Sequence, residues 1–417
     1  MKWCKKEDSW RIPVKSWCAE PEEEAMKQAA DLASHPASFH HVALMPDAHS
    51  GFGMPIGGVL ALKGAVCVNA VGVDIGCGMC AVKTNVPSAA LADMRLRRKF
   101  QEALKRLVPV GEGRCHKESQ AWEGFEEFIE QEGFVPEDIG GGWPLELDRR
   151  NLGTLGGGNH FMEMQTDESG TVWLMIHSGS RNMGHRIATY YHERAKRLCA
   201  AFHSRLPNED LAFLPVCPGT KYEDPYFSVG NAYVRHMNFA LRYARESRRR
   251  MMDAMFGCLH SACDEISVGC EEVFRHDIHH NYAAIENHFG ENVWVHRKGA
   301  TSAALGEIGI IPGSMGTASY IVEGLGNPES FCSCSHGSGR KMSRTAACNT
   351  LTVEQCDEAM QGIVCERWGK VRRGSAAGKP DLSEAPGAYK DIEEVILAED
   401  DLVRPVTRLT PLACLKG

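Results

Sequence analysis

A run of apolar and β-branched residues, punctuated by glycines, extends from position 41 to position 86 and constrains the fold more than any other segment. Its clearest parts are residues 57–62 (GGVLAL) and 65–74 (AVCVNAVGVD). Continuous apolar stretches with glycine turns between them predict buried strands joined by tight turns. We therefore expect this part of the chain to form a buried sheet.

Helices and further strands are mixed along the rest of the chain without a regular βαβ rhythm. Periodic apolar positions predict helices at about residues 20–34, 91–107, 185–202, 231–263 and 353–368, and strands at about 171–177, 293–296 and 308–311. Residues 369–386 are polar and are expected to form a loop. This mixture predicts the α+β class rather than a doubly wound sheet.

Composition limits the kind of protein. The chain has 417 residues, 24% charged and 43% hydrophobic, which excludes disorder as its main state. A net charge of −8 means that any surface for nucleic acid must be a local basic patch. The start of the chain lacks the apolar core of a signal peptide, and no stretch of about 18 apolar residues predicts a membrane span. We therefore expect a cytoplasmic protein whose 17 cysteines remain thiols.

Residues 74–79 (DIGCGM) hold the densest candidate chemistry. Asp74 and Cys77 are three residues apart in a glycine-rich turn that follows a predicted strand. Because Gly76 and Gly78 have no side chain, both residues could point at one metal ion, and a thiolate has enough lone pairs to bridge two ions. The alternative for this segment is the end of a buried strand with an inert thiol.

Three histidines stand at predicted element ends. His160 follows the glycines at 156–158, His177 ends an apolar strand, and His280 ends an aspartate-rich passage predicted to run from helix to loop. Each histidine alone is more often an ordinary polar residue than a ligand. Together with Asp74 and Cys77 they predict a dinuclear metal site, for which ligand softness alone favours zinc over manganese.

Cys77 and Cys80 also form a Cys-x-x-Cys pair, and a structural zinc site would need a second pair. The nearest candidate is residues 332–334 (CSC), whose spacing is too tight for an ordinary zinc knuckle. The sequence therefore disfavours a structural zinc site.

Two loops of small residues could bind phosphates through their backbone N–H groups, although tight turns are the alternative interpretation. They are residues 312–317 (PGSMGT) and 335–340 (SHGSGR), and no Walker loop is present in the sequence. His336 lies in the second loop, and cationic residues follow at positions 340, 341 and 344. Its imidazole is largely neutral at pH 7 and can attack phosphorus, carrying a phosphoryl or nucleotidyl group covalently.

These motifs, taken in order along nearly the whole chain, resemble the RtcB-type RNA ligases. That family consists of GTP-dependent enzymes that join an RNA 3′-phosphate or 2′,3′-cyclic phosphate to a 5′-hydroxyl. The matching segments are residues 46–49 (PDAH), 72–79 (GVDIGCGM), 158–161 (GNHF), 177–181 (HSGSR), 280–281 (HN), 297–300 (RKGA), 312–316 (PGSMG), 335–337 (SHG), 384–386 (EAP) and 416–417 (KG).

The resemblance implies two manganese ions per chain, which overrides the preference for zinc. One ion would be held by Asp74, Cys77 and His160. The other would be held by Cys77, His177 and His280, with the Cys77 thiolate as the bridge.

The resemblance also implies that the protein binds GTP and that His336 becomes guanylylated. The positions that would contact the nucleotide are Asn159, His160, Glu163, His280, Asn281, Pro312, Gly313, Ser314, Met315, Ser319, His336, Gly337, Ser338, Gly339 and Lys416. Asp47 and His49 are hypothesised to orient the metal ligands without binding the metal themselves.

The implied site draws on residues from Asp74 to Lys416, which argues against separable domains. We expect one compact catalytic domain over residues 1–417, built from mixed β-sheets with helical insertions at about 88–135 and 184–275. The resemblance further implies a monomer that acts on RNA with broken ends, such as tRNA halves or fragments of rRNA or mRNA, and not on membranes. An archease-type activator is left open.

Two alternatives to an RNA ligase remain at this stage. One is a dinuclear metal-dependent hydrolase that opens cyclic phosphates without ligation, and the other is a non-catalytic RNA-binding or structural-zinc protein.

Because the chain is acidic overall, binding of RNA requires a local basic surface that leads to the site. The candidates are the arginines of residues 235–250 (including Arg245, Arg248 and Arg249), the cations of residues 95–106, and the group Arg372, Arg373 and Lys379.

Overall fold

The computed structural model describes residues 1–132, 139, 145–217, 225–372 and 374–417. The strands are β1 (Trp3–Lys5), β2 (Val14–Ser16), β3 (Ser38–His49), β4 (Ile56–Leu62), β5 (Ala65–Cys67), β6 (Gly78–Pro87), β7 (Phe161–Asp167), β8 (Thr171–Ser178), β9 (Phe213–Pro215), β10 (Glu272–His279), β11 (Asn281–His288), β12 (Glu291–Lys298), β13 (Ala300–Ser302), β14 (Ile308–Ile311), β15 (Ser319–Gly324), β16 (Ser333–Ser335) and β17 (Val403–Lys416). The helices are α1 (Glu23–Ser34), α2 (Val68–Val71), α3 (Met94–Leu107), α4 (Glu123–Glu132), α5 (Leu145–Asn151), α6 (Met183–Ala201), α7 (Pro225–Asp264), α8 (Arg344–Thr350), α9 (Val353–Ala359) and α10 (Ile392–Ala398).

Within the described residues the strands form two large sheets. The six-stranded sheet has the order β1-β2-β3-β4-β12-β11, and the seven-stranded sheet has the order β10-β6-β8-β7-β17-β15-β14. Strands β2 and β3 pair in parallel, whereas the neighbours in the seven-stranded sheet are all antiparallel. The predicted α+β class is therefore confirmed.

The two large sheets share a core. Met45 and Val59 of the six-stranded sheet pack in the same apolar cluster as Val322 and Val403 of the seven-stranded sheet. On the other side of the seven-stranded sheet, α3 and α7 cover a second cluster that includes Cys80. Because side chains alternate along a strand, β6 contributes to apolar clusters on both of its faces. This packing buries the seven-stranded sheet between two layers.

Several predicted elements differ in extent from the observed ones. The apolar run 65–74 predicts buried strand with tight turns, but residues 68–71 form the short helix α2, which ends at Gly72 with φ +92°. The helix predicted over 353–368 ends at Ala359. The passage before His280 is strand β10 rather than a helix and loop, because it pairs with β6. These segments follow their tertiary partners rather than their local pattern.

Helices occupy much of the two predicted insertions. The first, over about 88–135, contains α3 and α4, and the second, over about 184–275, contains most of α6 and all of α7, whereas α5 lies beyond the first. A single catalytic domain over residues 1–417 with these insertions stays a prediction. In the described part of the chain, no helix combines the length and apolar character that a membrane crossing requires.

Arg248 is a structural residue, so its predicted place in a surface track for RNA is wrong. It lies on α7 and is completely buried. Its guanidinium donates to both carboxylate oxygens of Asp277 at 2.8 Å and to the backbone oxygens of Gly76 and Ser178 at 2.9 Å. This one side chain therefore joins α7 to the turn before Cys77 and to the end of β8.

We expect Arg248→Met to lower the free energy of unfolding by about 3–5 kcal/mol, because it leaves the Asp277 carboxylate buried without its partner. Urea unfolding followed by circular dichroism measures the change. The matched control is Arg245→Met, which removes a mostly exposed arginine 3.3 Å from the same carboxylate and should cost less than about 1 kcal/mol. Equal losses in the two variants would contradict the structural role of Arg248.

Candidate metal centre and active site

The turn between α2 and β6 sets the positions of Asp74 and Cys77. The backbone N–H of Cys77 donates to the oxygen of Asp74 at 3.0 Å, which closes the turn. Gly76 has φ +80°, and a Cβ there would lie 3.0 Å from the backbone oxygen of Ala240 on α7. Glycine is therefore required at this position, both for the backbone conformation and for the close approach of α7.

Three more candidate ligands stand where the neighbouring strands of the seven-stranded sheet end. His160 directly precedes β7, His177 lies near the end of β8, and His280 separates β10 from β11. His177 is paired with Met79 of β6 on one side and with Phe161 of β7 on the other. The antiparallel registers therefore bring these strand ends to the turn that holds Cys77.

The five predicted metal ligands form one cluster, in which Asp74 is half-buried and the other four side chains are buried. The Cys77 Sγ atom is 3.5 Å from the Nε2 atom of His160 and 3.2 Å from that of His177. The Nε2 atom of His160 is 3.2 Å from the Asp74 carboxylate, and the Nε2 atoms of His177 and His280 are 3.3 Å apart. The Cys77 thiol thus lies between the pair Asp74–His160 and the pair His177–His280, and ligand atoms of Cys77, His160 and His177 lie within 4.8 Å of one another.

Burial dominates the titration of this cluster. It holds the pKa values of His177 and His280 well below their usual range, so both imidazoles are neutral. Burial and the charge of Asp74 raise the pKa of the Cys77 thiol. Although burial opposes it, the hydrogen bond from His160 lowers the pKa of Asp74. A bound cation would reverse the effect on Cys77, since metal coordination favours the thiolate.

The donor set fits a divalent metal ion. The Nδ1 atom of His177 donates to the backbone oxygen of Asn159 at 3.1 Å, which leaves the Nε2 lone pair directed at Cys77. The Nδ1 atoms of His160 and His280 are buried without a hydrogen-bond partner among the described residues. Imidazole, thiolate and carboxylate groups that face one another form a site typical of first-row divalent metals.

Two of the cysteines considered for a structural zinc site, Cys80 and Cys334, lie in different apolar layers. Cys80 is buried in the apolar layer under α3 and α7, and Cys334 is buried in the layer between the two large sheets. Each therefore packs as a small apolar side chain.

His336 lies against the metal cluster and is held by Asp47. The rings of His336 and His280 meet edge to face with their centroids 4.9 Å apart. The Nδ1 atom of His336 donates to the Asp47 carboxylate at 2.5 Å, and the backbone N–H of His336 donates to the same oxygen at 3.2 Å. Asp47 is completely buried near the end of β3, so it fixes the position of the ring. The Nε2 atom of His336 takes no part in the contact with Asp47.

Two glycines allow the chain to approach Asp47 closely. A Cβ at Gly339, where φ is +70°, would lie 2.4 Å from the backbone oxygen of Asp47. A Cβ at Gly57, where φ is +79°, would lie 2.8 Å from its carboxylate. The motif that contains Asp47 thus acts on His336 and not on the metal ligands, and His49 contacts the Asp47 backbone oxygen at 2.9 Å.

A buried polar chain joins the predicted nucleotide contacts on β7 and β15. The Nε2 atom of Gln165 donates to the Glu163 carboxylate at 2.8 Å and to the Ser319 hydroxyl at 3.2 Å. The backbone N–H of Gly313 also donates to Ser319, at 3.3 Å. Burial raises the pKa of Glu163 to about 7, so this carboxyl is partly protonated at neutral pH.

The two loops of small residues contact each other. The backbone N–H of Ser338 donates to the oxygen of Pro312 at 3.0 Å, and a Cβ at Gly337 would lie 3.1 Å from that oxygen. The backbone N–H of Ser314 donates to the Thr317 hydroxyl of the same turn at 2.7 Å, whereas the Met315 side chain is buried in the core. The loop of His336 and the loop of Pro312 thus form one wall.

Asn281 and Lys416 each contact the backbone at or beside a metal-ligand candidate. The amide nitrogen of Asn281 donates to the backbone oxygen of Asp74 at 3.1 Å, and its amide oxygen accepts from the N–H of Gly299 at 2.8 Å. The Lys416 ammonium donates to the backbone oxygen of Asn159 at 3.3 Å. Both side chains therefore brace the turns that carry metal-ligand candidates.

The sequence analysis did not predict that three cationic side chains meet at Glu384. This buried carboxylate accepts from Arg344 at 2.9 Å and from Arg340 at 3.3 Å, and it lies 3.7 Å from the Lys416 ammonium. The only signal in the sequence was its place in the segment 384–386. No local pattern relates an acid at 384 to cations 40 and 44 positions earlier in the chain.

Comparison with known proteins identifies the family. The family model described as tRNA-splicing ligase RtcB matches residues 28–417. An Escherichia coli protein named RNA-splicing ligase RtcB1 is 40% identical, with 97% of each chain covered, and the RNA-splicing ligase RtcB of strain K12 is 39% identical with the same coverage. The tRNA-splicing ligase RtcB of Pyrobaculum aerophilum is 30% identical, with 94% of this chain and 91% of that protein covered. The chain therefore belongs to the RtcB family of tRNA-splicing ligases.

Proposed function

We propose that this RNA ligase joins RNA ends through a guanylyl group carried on His336. The ends are a 3′-phosphate or 2′,3′-cyclic phosphate on one RNA and a 5′-hydroxyl on the other, and GTP is the donor of the guanylyl group. The observation that carries the proposal is the position of His336, held by Asp47 on one side and set against His280 on the other. The relatives carry ligase names, and nothing favours the hydrolase alternative.

The buried cluster would hold two manganese ions. Asp74, Cys77 and His160 would bind one, and Cys77, His177 and His280 would bind the other, consistent with the position of the thiol between the two pairs. When bound, such cations neutralise phosphate charge during an in-line displacement. The choice of manganese over zinc rests on the family resemblance alone.

The first step follows from the state of the His336 ring. Its Nδ1–H is bound to Asp47, so the Nε2 lone pair is the nucleophile. Attack of Nε2 on the α-phosphorus of GTP forms an N–P bond, breaks the bond to the bridging oxygen and releases pyrophosphate. The Asp47 carboxylate stabilises the positive charge that develops on the imidazole, as a buried acid does for a catalytic histidine.

The next two steps return His336 to its starting state. An oxygen of the RNA 3′-phosphate attacks the guanylyl phosphorus, which breaks the N–P bond and leaves an RNA–GMP anhydride. The 5′-hydroxyl of the second RNA then attacks the 3′-phosphate, losing its proton to solvent and expelling GMP. A 2′,3′-cyclic phosphate is first hydrolysed to the 3′-phosphate.

The nucleotide would lie along the wall formed by the two loops, with its base towards Glu163. A carboxyl with a pKa of about 7 can accept from the N–H groups of guanine once it is ionised. The backbone N–H groups of the loops would face the phosphates. The proposed contacts are Asn159, His160, Glu163, His280, Asn281, Pro312, Gly313, Ser314, Met315, Ser319, Gly337, Ser338, Gly339 and Lys416.

The wider setting is also proposed from the family. The chain would act as a monomeric, single-domain enzyme in the cytoplasm on broken tRNA, rRNA or mRNA. An archease-type protein would be its activating partner.

We expect His336→Ala to abolish an acid-labile adduct formed with α-labelled GTP, because the variant lacks the nucleophilic nitrogen. The adduct is measured by gel autoradiography before and after acid treatment. His260→Ala, which removes an exposed histidine from α7, is the matched control and should keep the adduct. An adduct of normal yield on His336→Ala would overturn the proposed nucleophile.

We expect Asp47→Asn to slow adduct formation by about 10- to 100-fold, since a charged hydrogen bond of about 1.5–3 kcal/mol to the imidazole is weakened. Single-turnover labelling with GTP measures the rate. Metal content and melting temperature, measured on the same preparations, separate this effect from unfolding. A normal rate would show that Asp47 only packs against the ring.

We expect Cys77→Ala to lose both metal ions, because the shared thiolate is a ligand in each group of three. Elemental analysis after dialysis against manganese gives the ions bound per chain. Cys80→Ala is the matched control, since it removes a buried thiol from the apolar layer of the same sheet and should retain the metal. Two ions on Cys77→Ala would exclude the bridging role.

A further inference from the structure

Helix α3 carries a concentration of positive charge on an acidic chain. Its 14 residues include one acid, Glu102. The six cations are Arg95, Arg97, Arg98, Lys99, Lys105 and Arg106. The chain as a whole has a net charge of −8, so this excess is local.

The stability of the helix accounts for only some of these cations. Phe100 and Leu104 bury the opposite side of α3 against the seven-stranded sheet, whereas Arg95, Arg98 and Arg106 are exposed. Arg95 lies in the first turn, where a cation opposes the helix dipole, whereas Lys105 and Arg106 lie in the last turn, where cations are favourable. Exposed cations at this density form a local positive surface that favours an anionic partner.

Only part of this charge is neutralised within the protein. Lys99 pairs with Glu265, Lys105 pairs with Glu366, and Arg97 donates to the backbone oxygen of Leu91. By contrast, the following three arginines form no ion pair with any described residue: Arg95, Arg98 and Arg106. We name these three arginines the α3 track.

Helix α7 provides a contrast, because carboxylates bind its arginines. Arg242 pairs with Glu127 at 2.5 Å, and Arg249 pairs with Glu246 at 2.7 Å and with Asp253 at 2.6 Å. RNA phosphates would have to compete with these partners. Of the basic clusters named from the sequence, α7 is therefore a poor surface for RNA, and Arg373 of the third cluster lies outside the described residues.

The α3 track leads to the proposed active site. Directly after α3, the backbone N–H of Gly111 donates to the oxygen of Leu155 at 3.1 Å. The next residue, Glu112, lies against Gly157, and a Cβ at Gly156 would lie 2.4 Å from the His160 ring. The carboxyl end of α3 is therefore joined to the turn that carries a metal-ligand candidate.

The length of the α3 track suits a nucleic-acid strand. Arg95 and Arg106 are separated by eleven residues, or about 16 Å along the helix axis. That distance matches about five phosphates of a stacked strand at ~3.4 Å each. On a helical wheel the three arginines fall within one exposed face, so one strand can contact all of them.

We infer that the α3 track binds the phosphate backbone of the substrate RNA and guides its end to His336. This inference rests on the proposed ligase function and names the surface by which that function receives its RNA. It requires that binding be electrostatic and independent of base sequence, because arginines spaced along a helix face contact phosphates rather than base edges.

The test uses the triple variant Arg95→Gln, Arg98→Gln and Arg106→Gln in the full-length protein. The matched control removes the same number of charges from α7, as Arg242→Gln, Arg245→Gln and Arg249→Gln. Fluorescence anisotropy with a labelled single-stranded RNA that ends in a 3′-phosphate gives Kd between about 50 and 200 mM salt. Melting temperatures establish that both variants are folded.

We expect the α3 variant to bind about 100-fold more weakly at 0.1 M salt and its log–log salt slope to fall by about two, as the loss of three phosphate contacts requires. The α7 variant should bind within about threefold of the unaltered protein. Equal losses in the two variants would assign the effect to net charge and overturn the inference. An unchanged salt slope in the α3 variant would overturn it as well.

Adduct formation with labelled GTP in the absence of RNA separates this inference from the ligase proposal. If the unaltered protein forms the adduct but the α3 variant binds RNA normally, the α3 track is wrong and the ligase proposal stands. If the unaltered protein forms no adduct, the ligase proposal fails whatever the RNA measurements give.

Discussion

The antiparallel pairing of β10, β6, β8 and β7 brings neighbouring strand ends to one edge of the seven-stranded sheet. The turn with Cys77 lies at this edge, and three histidines from distant parts of the chain meet its thiol or one another there. Cys77 and the three histidines are buried there, which removes their polar atoms from water. The grouping is compatible with a metal ion, which would use the lone pairs of these side chains.

Each of the two large sheets contributes different residues to the site. The seven-stranded sheet carries the metal-ligand candidates, whereas β3 of the six-stranded sheet carries Asp47, which holds His336. Because the sheets share an apolar core, the nucleophile and the cluster are held together by packing across the whole molecule. Arg248 adds a buried ionic connection from α7 to the same turn. The site therefore draws on both large sheets and on α7.

The location of each charged residue, rather than the net charge of the chain, determines what that residue can do. Carboxylates neutralise arginines of α7 such as Arg242 and Arg249, yet three arginines of α3 have no such partner in the part of the chain that the structure describes. Buried ion pairs such as that of Arg248 serve the fold, and exposed cations such as Arg95 are available to a ligand. Residue counts alone cannot distinguish these two uses, because exposure depends on what packs against each helix.

The sequence by itself determined the α+β class, the set of residues with metal-binding chemistry and the family, because glycine turns, apolar runs and ordered motifs are local properties of the chain. It did not determine that β10 is a strand, that Asp47 binds His336, or that Arg248 is buried. Those facts depend on pairing and packing between residues up to 289 positions apart, as in the Asp47–His336 contact. Only the tertiary structure decided them, since hydrogen-bond partners and burial are set by what the rest of the fold brings alongside.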